Sequence, residues 1–212
     1  MRNVFPTGLV ADAKVVLQAL ADLGLLLLSD PKRPSAIQIL SGEFPRGSWW
    51  SHPRANEMYG VLQDVERHPD VLLAKLLSGK VTLVHRRLWP ALLTVVTARQ
   101  AWQTAGLSAV AAGWLAAFDQ AQAEGAPIPS ASRTVSKEIA VRLLTHAESV
   151  HTAGGKHETQ LEPWPAWAAR VGQPLPPSPP TEPQIAVAKQ TIESAAARLG
   201  PPPPELPWTE AG

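Results

Sequence analysis

The side chains of this chain that could do chemistry lie in two places, a histidine-rich segment near residue 150 and a basic segment between residues 31 and 90. The first, HAESVHTAGGKHE, contains side-chain types that bind a transition metal or act as general acid and base. These are His146, Glu148, His151, His157 and Glu158. His146 and His151 are five residues apart, about 140° around a helix, whereas metal-binding pairs are normally four apart. No metal ligand is therefore assigned.

Motifs of nucleophilic or nucleotide-dependent catalysis are absent from the sequence. Ser136, Ser149 and Thr152 are close to the histidines along the chain, but no Gly-x-Ser-x-Gly elbow occurs. Neither a Walker A motif nor a Gly-x-Gly-x-x-Gly motif occurs, so no cofactor is predicted. The lack of cysteine excludes thiolate zinc sites and a cysteine nucleophile. The sequence leaves open whether the protein is an enzyme.

The basic segment from Pro31 to Pro90 has nine Lys or Arg residues and five Asp or Glu residues, a local net charge of +4. The whole chain, with 19 basic and 18 acidic residues, is nearly neutral. Basic side chains that share a face neutralise phosphates and release counterions, so this clustering favours nucleic-acid binding. The alternative is a solvated surface with ordinary ion pairs. The candidate binding residues are Arg46, Arg54, Lys75, Lys80, His85, Arg86 and Arg87.

Two adjacent tryptophans, Trp49 and Trp50, lie in the Gly- and Pro-rich stretch GEFPRGSWWSHP. In such a loop an indole ring can stack on an unpaired base, a contact worth about 1 to 3 kcal/mol. Because large aromatic side chains dominate the energetics of protein cores, we expect at least one of the two rings to be buried. Both are candidate nucleic-acid-binding residues.

The elements that must position these residues follow from apolar periodicity and from turn and cap residues. In the first 87 residues the predicted helices are Leu9–Leu23, Ala36–Leu40 and about Arg54–Arg67. The predicted strands are Leu25–Leu28 and Val81–His85, with a turn at Ser78–Lys80 before the second strand. The apolar run Val71–Leu77 is either a strand or a buried helix. If both later apolar runs are strands, this order is that of a winged helix. The short turn, and the acidic residues Glu57, Asp64 and Glu66 on the would-be recognition helix, argue against it.

The remainder of the chain is predicted to be helical, with a Pro-rich linker before a last helix. The predicted helices are Leu88–Ala105, Ser108–Glu124, Ser136–Val150, a short segment around Trp164 and Trp167, and Gln184–Leu199. We predict a mainly α fold with a small β-hairpin, in which a winged-helix-like N-terminal part is followed by a helical part. The predicted regions are residues 1–87 (winged-helix-like), 88–171 (helical), 172–183 (linker) and 184–212 (helix and mobile tail).

The composition, 45% hydrophobic and 17% charged, is typical of a globular protein. The longest apolar run near the N-terminus, Leu25–Leu28, is far shorter than the roughly 20 residues that cross a bilayer. We therefore expect a cytoplasmic protein without a membrane partner.

Three stretches, SGKVTLVHRRLWPALL, RGSWWSHP and HAESVHTAGGKHE, resemble a family of small, uncharacterised bacterial proteins. The resemblance spans about Arg46 to Trp167 and implies no activity.

The sequence thus favours a nucleic-acid-binding protein, with DNA preferred over RNA, that uses a basic hairpin and a Trp-containing loop. The alternative is a metal-dependent or His-dependent hydrolase acting on nucleic acid. A third interpretation is a helical scaffold whose Pro-rich tail recruits a protein partner, since polyproline segments suit aromatic-lined grooves.

Overall fold

The computed structural model describes residues 11–151, 157–176 and 179–209, and the side chains of residues 149–151, 157 and 158 lie outside this description. Within these ranges the fold is mixed α/β, with helices around a three-stranded antiparallel sheet and a separate two-stranded hairpin. The helices are α1 (Ala13–Leu23), α2 (Ala36–Ser41), α3 (Ala55–Glu66), α4 (Trp89–Thr97), α5 (Ala101–Thr104), α6 (Ala109–Glu124), α7 (Arg133–Val141), α8 (Trp164–Arg170) and α9 (Glu182–Ala197). The strands are β1 (Leu25–Leu27), β2 (Val71–Leu77), β3 (Lys80–His85), β4 (His146–His151) and β5 (His157–Glu162).

The first two helices each begin at a capping side chain and end at a glycine with positive φ. The carboxylate of Asp12 accepts hydrogen bonds from the first backbone N–H groups of α1, and Gly24, with φ of +86°, ends that helix. Ser35 caps α2 in the same way, and Gly42 ends it in the left-handed conformation. The predicted helix capped by Ser35 is therefore confirmed.

The three-stranded sheet has the order β1-β3-β2, and its two strand pairs are both antiparallel. Ser78 and Gly79 join β2 to β3 with positive φ angles of 49° and 64°, as a two-residue hairpin loop requires. The predicted turn is confirmed, and the ambiguous run Val71–Leu77 is a strand. A register shift between Lys75 and Leu77 interrupts the alternation of side chains, and consequently Leu76 and Leu77 are both buried.

Both faces of this sheet are covered by helices. Leu26 and Leu83 pack with α1, α2 and α3 on one face, whereas Leu25, Leu27 and Val84 pack with α4, α8 and α9 on the other. A strand that is buried on both faces lacks the usual alternation of apolar and polar residues. This explains why β1 consists of three consecutive leucines.

The last described segment of the chain also contributes to the core. Leu206 is 3% exposed and belongs to the same apolar cluster as α4 and α9. The backbone N–H of Ser78, in the β2–β3 turn, donates to the carbonyl of Glu205 over 2.8 Å. The segment that we predicted to be a mobile tail is therefore packed against the sheet as far as it is described.

One apolar cluster crosses the predicted region boundaries at residues 88, 172 and 184. It joins Leu72 and Val84 of the sheet to Leu92 of α4 and Ile192 of α9. A smaller cluster, which includes Phe118 and Ile139, holds α6 against α7. The division into regions stays a prediction. Among the described helices, none has the length and apolar character needed to cross a membrane.

The predicted helix Ser136–Val150 is confirmed as far as Val141 and is wrong beyond it. Helix α7 ends at Val141, Leu143 has a positive φ of 51°, and His146–His151 forms a strand paired with His157–Glu162. Pairing with β5, the next strand along the chain, outweighs the helix propensity of residues such as Ala147 and Glu148. The fold is therefore mixed α/β and has a second hairpin.

The predicted helix Leu88–Ala105 is two helices. Helix α4 ends at Thr97, and the chain turns at Arg99, whose φ is +50°. Gln100 and Gln103 form a reciprocal capping box that starts α5. Glutamine at the N-cap is a weak signal, so no clear sequence feature marks the end of the first helix there.

Candidate functional site

A cleft of about 1010 Å³ lies between the free edge of β2, the C-terminal end of α3, and the unit formed by α7, β4 and α8. Strand β2 contacts both α7 and β4, so these elements form the inner walls. Residues 71–75 of β2 line the cleft. Within the described part of the chain, β2 pairs only with β3, so this edge offers backbone groups as well as side chains.

One face of α7 provides basic and hydroxyl groups to the cleft. Arg133, Ser136, Lys137 and Ala140 line it at the spacing of one helix face. Ser132 caps α7, so the helix begins at Arg133 and includes all four of these residues. The apolar side chains of the opposite face, such as Ile139, pack toward α6.

Lys75 enters the same cleft from β2 and is half-buried. Burial lowers the pKa of Lys75, and the positive charge of Lys137 lowers it further. Neither lysine has a salt-bridge partner among the described residues. Two ammonium groups in one cleft create a positive electrostatic potential there.

A group of aromatic rings lies at the α3 end of the cleft. Trp49 and Trp50 form a 3-10 turn with ring centroids 4.0 Å apart, and Trp50 lies 5.3 Å from Tyr59. Trp49 packs on the apolar cluster of α1, α2 and α3, whereas Trp50 is 53% exposed. The expectation that at least one of the two rings is buried in the core is thus met in part by Trp49.

Charged side chains of both signs line the cleft. Its basic side chains are Arg67, Lys75, Arg133, Lys137 and Arg170, and its carboxylates are Glu66 and Glu148. Burial raises the pKa of Glu66, and the charge of Glu148 raises it further, against the effect of Arg67. The charge that acts on Lys75 is that of Lys137. Arg170 lies 3.8 Å from Glu148, so part of the basic lining is paired with the acidic lining.

His146 is the buried titratable group of the cleft wall and is 5% exposed. Its ring lies 5.6 Å from Trp164 and 5.8 Å from Trp167, and its Nδ1 is 3.4 Å from Oε2 of Glu162. Arg170 holds that carboxylate with two contacts of 3.1 and 2.7 Å. Burial lowers the pKa of His146, although Glu162 and Glu148 oppose the shift. The imidazole is therefore neutral near pH 7.

Three of the predicted nucleic-acid-binding residues, Trp49, Trp50 and Lys75, line this cleft together. Arg46 is exposed and does not line it. The guanidinium of Arg54 lies 3.2 Å from Glu57, one turn away on α3, and Lys80 forms an ion pair of 2.7 Å with Asp30.

The remaining three, His85, Arg86 and Arg87, lie at the far end of β3 from Lys80. Because a strand rises about 3.3 Å per residue, the two ends of β3 are roughly 17 Å apart. Arg86 lies 3.8 Å from Asp70 and its guanidinium is 5.7 Å from the ring centre of Trp89.

The other two of these residues contact backbone rather than open surface. Arg87 donates to the backbone carbonyls of Ala21 and Asp22, at the last turn of α1. Nδ1 of His85 accepts from the backbone N–H of Arg87. The predicted basic residues therefore do not share one surface, and several of them contact neighbouring groups of the fold.

The cleft contains functional candidates that the sequence reasoning missed, namely Arg133, Lys137 and Thr145. Arg133 and Lys137 are four residues apart, and correct placement of the start of α7 after Ser132 would have put them on one face. No sequence signal marks Thr145. Among the described residues, no group of three His, Asp or Glu side chains could hold a metal ion. The side chains of His151, His157 and Glu158 lie outside the described residues.

Comparison with known proteins gives no family for this chain. No family model, no curated protein and no solved structure matches it.

Proposed function

We propose that this protein binds nucleic acid, and that the cleft between β2 and α7 holds a single strand, with DNA preferred over RNA. The observation that carries the proposal is the presence, in one cleft, of an exposed aromatic ring and unpaired basic groups. Trp50 is 53% exposed at one end, and Lys75 and Lys137 lack salt-bridge partners among the described residues at the other. Proteins that bind single strands combine these two features, since bases stack on rings and phosphates follow the basic groove.

The arrangement of residues 11–85 gives additional support. The order α1, β1, α2, α3, β2, β3 and the strand order β1-β3-β2 are compatible with a winged-helix-like unit. We propose this unit as the scaffold of the binding cleft rather than as a reader of the major groove. Glu57 and Asp64 are exposed on α3, where they would repel duplex phosphates, and the hairpin turn is bonded to Glu205.

The test uses labelled oligonucleotides of about 15 nucleotides, prepared as single-stranded DNA, single-stranded RNA and duplex DNA. The protein is titrated into each of them at several salt concentrations, and binding is followed by fluorescence anisotropy. We expect single strands to bind more tightly than the duplex, with affinity that falls as salt rises. In the variant Lys75→Ala/Lys137→Ala the slope against log salt should fall by roughly 1.4, since each phosphate contact on a single strand contributes about 0.7.

The matched control is Lys14→Ala/Lys32→Ala, which removes the same charge from two exposed lysines that do not line the cleft. This control should retain the wild-type slope and affinity. Equal losses in the two double variants would assign the binding to general charge and contradict a role for the cleft. Absence of binding to every strand at low salt would overturn the proposed function.

A His-dependent hydrolase is a second candidate, favoured by the pair of His146 and Glu162 in the cleft wall. A carboxylate near Nδ1 orients an imidazole and stabilises its protonated form, as general-base catalysis requires. Arg170 in turn fixes the carboxylate. Incubation of labelled strands with wild-type protein and His146→Gln is the test. Cleavage by the wild type alone supports the hydrolase, and intact strands with both proteins reject it.

A further inference from the structure

The inner part of the cleft contains a buried hydroxyl group without a partner. Thr145 is 1% exposed and lines the cleft, and its Oγ1 forms no hydrogen bond with any described protein atom. A buried hydroxyl without a hydrogen bond is costly, and native structures leave few polar atoms in that state. Thr145 lies between α7 and β4, the two elements that form this wall. The wall of the cleft therefore contains a hydroxyl group without a protein partner.

The same region gathers positive charge. Arg133 and Lys137 project from one face of α7, and Lys75 enters from β2, which contacts α7. The positive charge of Lys137 acts on Lys75 and helps to lower its pKa, because like charges repel. An anion between them would relieve this repulsion and would accept hydrogen bonds from the ammonium groups.

The carboxylates of the cleft do not neutralise this region. Glu148 lies 3.8 Å from Arg170, which also holds Glu162, and no carboxylate among the described residues forms a salt bridge with Lys75 or Lys137. Glu138, which is also on α7, binds the backbone N–H and hydroxyl of Ser108. The two lysines thus face the cleft without an acidic partner among the described residues.

We infer that Lys75, Lys137, Arg133 and Thr145 form a binding site for a phosphate monoester, namely the terminal phosphate of a nucleic-acid strand. Three cationic groups and one hydroxyl supply more donors than a carboxylate can use, whereas a terminal phosphate has three acceptor oxygens and nearly two negative charges. This inference rests on the proposed function for the identity of the strand. The phosphate site itself can be tested without it.

The experiment compares three single-stranded DNA oligonucleotides of one sequence, with a 5′-phosphate, with a 3′-phosphate, or with hydroxyls at both ends. We expect one phosphorylated end to increase affinity roughly tenfold over the hydroxyl-ended strand. In a second arm, inorganic phosphate and acetate are titrated separately into the full chain, and binding is followed by isothermal calorimetry. Phosphate should bind and acetate should not.

The variant Thr145→Val keeps the shape of the side chain and removes only the hydroxyl. Because that hydroxyl has no partner in the fold, the variant should retain wild-type stability and affinity for the hydroxyl-ended strand. It should lose most of the preference for the phosphorylated end. Lys137→Gln should lose this preference as well, and Lys14→Gln should retain it.

The two proposals fail in different ways. If no strand binds but inorganic phosphate does, and Thr145→Val abolishes that binding, the phosphate site stands and the proposed function falls. If all three strands bind equally and inorganic phosphate does not bind, the phosphate site is overturned and strand binding remains. A terminal-phosphate preference that survives in both Thr145→Val and Lys137→Gln also overturns the site.

Discussion

The ammonium of Lys80 lies 2.7 Å from Oδ2 of Asp30, a carboxylate whose side chain is only 3% exposed. The other oxygen of Asp30 accepts from the backbone N–H groups of Lys32 and Arg33. This pair fastens the β2–β3 turn to the loop after β1. Lys80, which the sequence suggested as a phosphate contact, therefore has a partner within the fold.

The first prediction concerns Asp30→Asn. Burial would raise the pKa of Asp30, but the hydrogen bonds from Lys80 and the backbone outweigh burial and hold the pKa below its usual value. The ionised carboxylate thus adds stability that is complete above about pH 4 and is lost as the pH falls through the lowered pKa. We expect Asp30→Asn to lower the free energy of unfolding by about 1 to 3 kcal/mol at pH 7.

Urea denaturation at pH 7 and pH 3 measures this effect, and the difference from wild type should shrink at the lower pH. Asp64→Asn is the control, because Asp64 is 72% exposed and lies 3.9 Å from Arg67. The same small loss in both variants would contradict a structural role for Asp30.

The second prediction separates two adjacent arginines. Arg87 donates to the last carbonyls of α1, where a cation also interacts favourably with the helix dipole, whereas Arg86 lies 3.8 Å from Asp70 in a half-exposed ion pair. Arg87→Ala should therefore lower the unfolding free energy by about 1 kcal/mol, and Arg86→Ala by only a few tenths. Thermal denaturation of the two variants, which carry the same net charge, measures the difference. A larger loss for Arg86→Ala would reverse the assignment.

The third prediction concerns the indole of Trp164. Its Nε1 donates to the carbonyl of Leu143 over 2.8 Å in the buried core, at a residue with positive φ. Trp164→Phe removes the donor and leaves that carbonyl unpaired, so we expect a loss of about 1 to 3 kcal/mol. Trp114→Phe is the matched control, because its indole bonds Pro129 at a part-exposed position. Chemical denaturation should show the smaller loss for Trp114→Phe, and equal losses would argue against a special role of the buried bond.

The fourth prediction concerns the pH dependence contributed by His146. Because burial lowers its pKa in the folded protein, the unfolded chain binds a proton more readily below about pH 6.5. The neutral imidazole therefore supports full stability above that pH, and stability falls as the pH drops through the lowered pKa. In His146→Gln the decline between pH 7.5 and pH 5 should be shallower than in wild type, by urea denaturation at each pH. An unchanged slope would show that His146 titrates alike in both states.

The fifth prediction concerns Trp50, which stacks on Trp49 but is more than half exposed. Trp50→Ala should cost little stability and should reduce affinity for single-stranded DNA by roughly 5- to 150-fold, the equivalent of about 1 to 3 kcal/mol. Anisotropy titration and a thermal melt together separate these effects. The exposed Val110 provides a control, since Val110→Ala removes exposed apolar area on α6, outside the cleft lining. An unchanged affinity in Trp50→Ala would show that the Trp50 ring does not contact the bound strand.

Local signals in the sequence were sufficient for the elements whose ends carry caps or tight turns. Ser35, Ser108 and the Ser78–Gly79 pair act through hydrogen bonds and φ angles within a few residues, so their effects can be read locally. The apolar run Leu25–Leu28 likewise indicated a short strand, which the structure has at Leu25–Leu27. These elements were predicted close to their observed bounds.

The second hairpin and the cleft could not be predicted in this way. Strand β4 depends on pairing with β5, and the cleft depends on α7 packing beside β2, some 60 residues earlier in the chain. Clustering of charge along the sequence also misled the site prediction, because Lys80 and Arg87 are engaged by Asp30 and by the end of α1. Lys137 became a candidate only when the fold brought it to Lys75.

The contact between α4 and α9, together with the burial of Leu206, has a practical consequence for anyone who shortens this protein. A fragment that stops at residue 176 would leave the apolar side of α4 in water, because Ala188, Ile192 and Leu199 cover it in the intact fold. Exposed surface of this kind promotes aggregation during expression. Material for spectroscopy or crystallisation should therefore retain the chain at least through Leu206, even when only the sheet and the cleft are of interest.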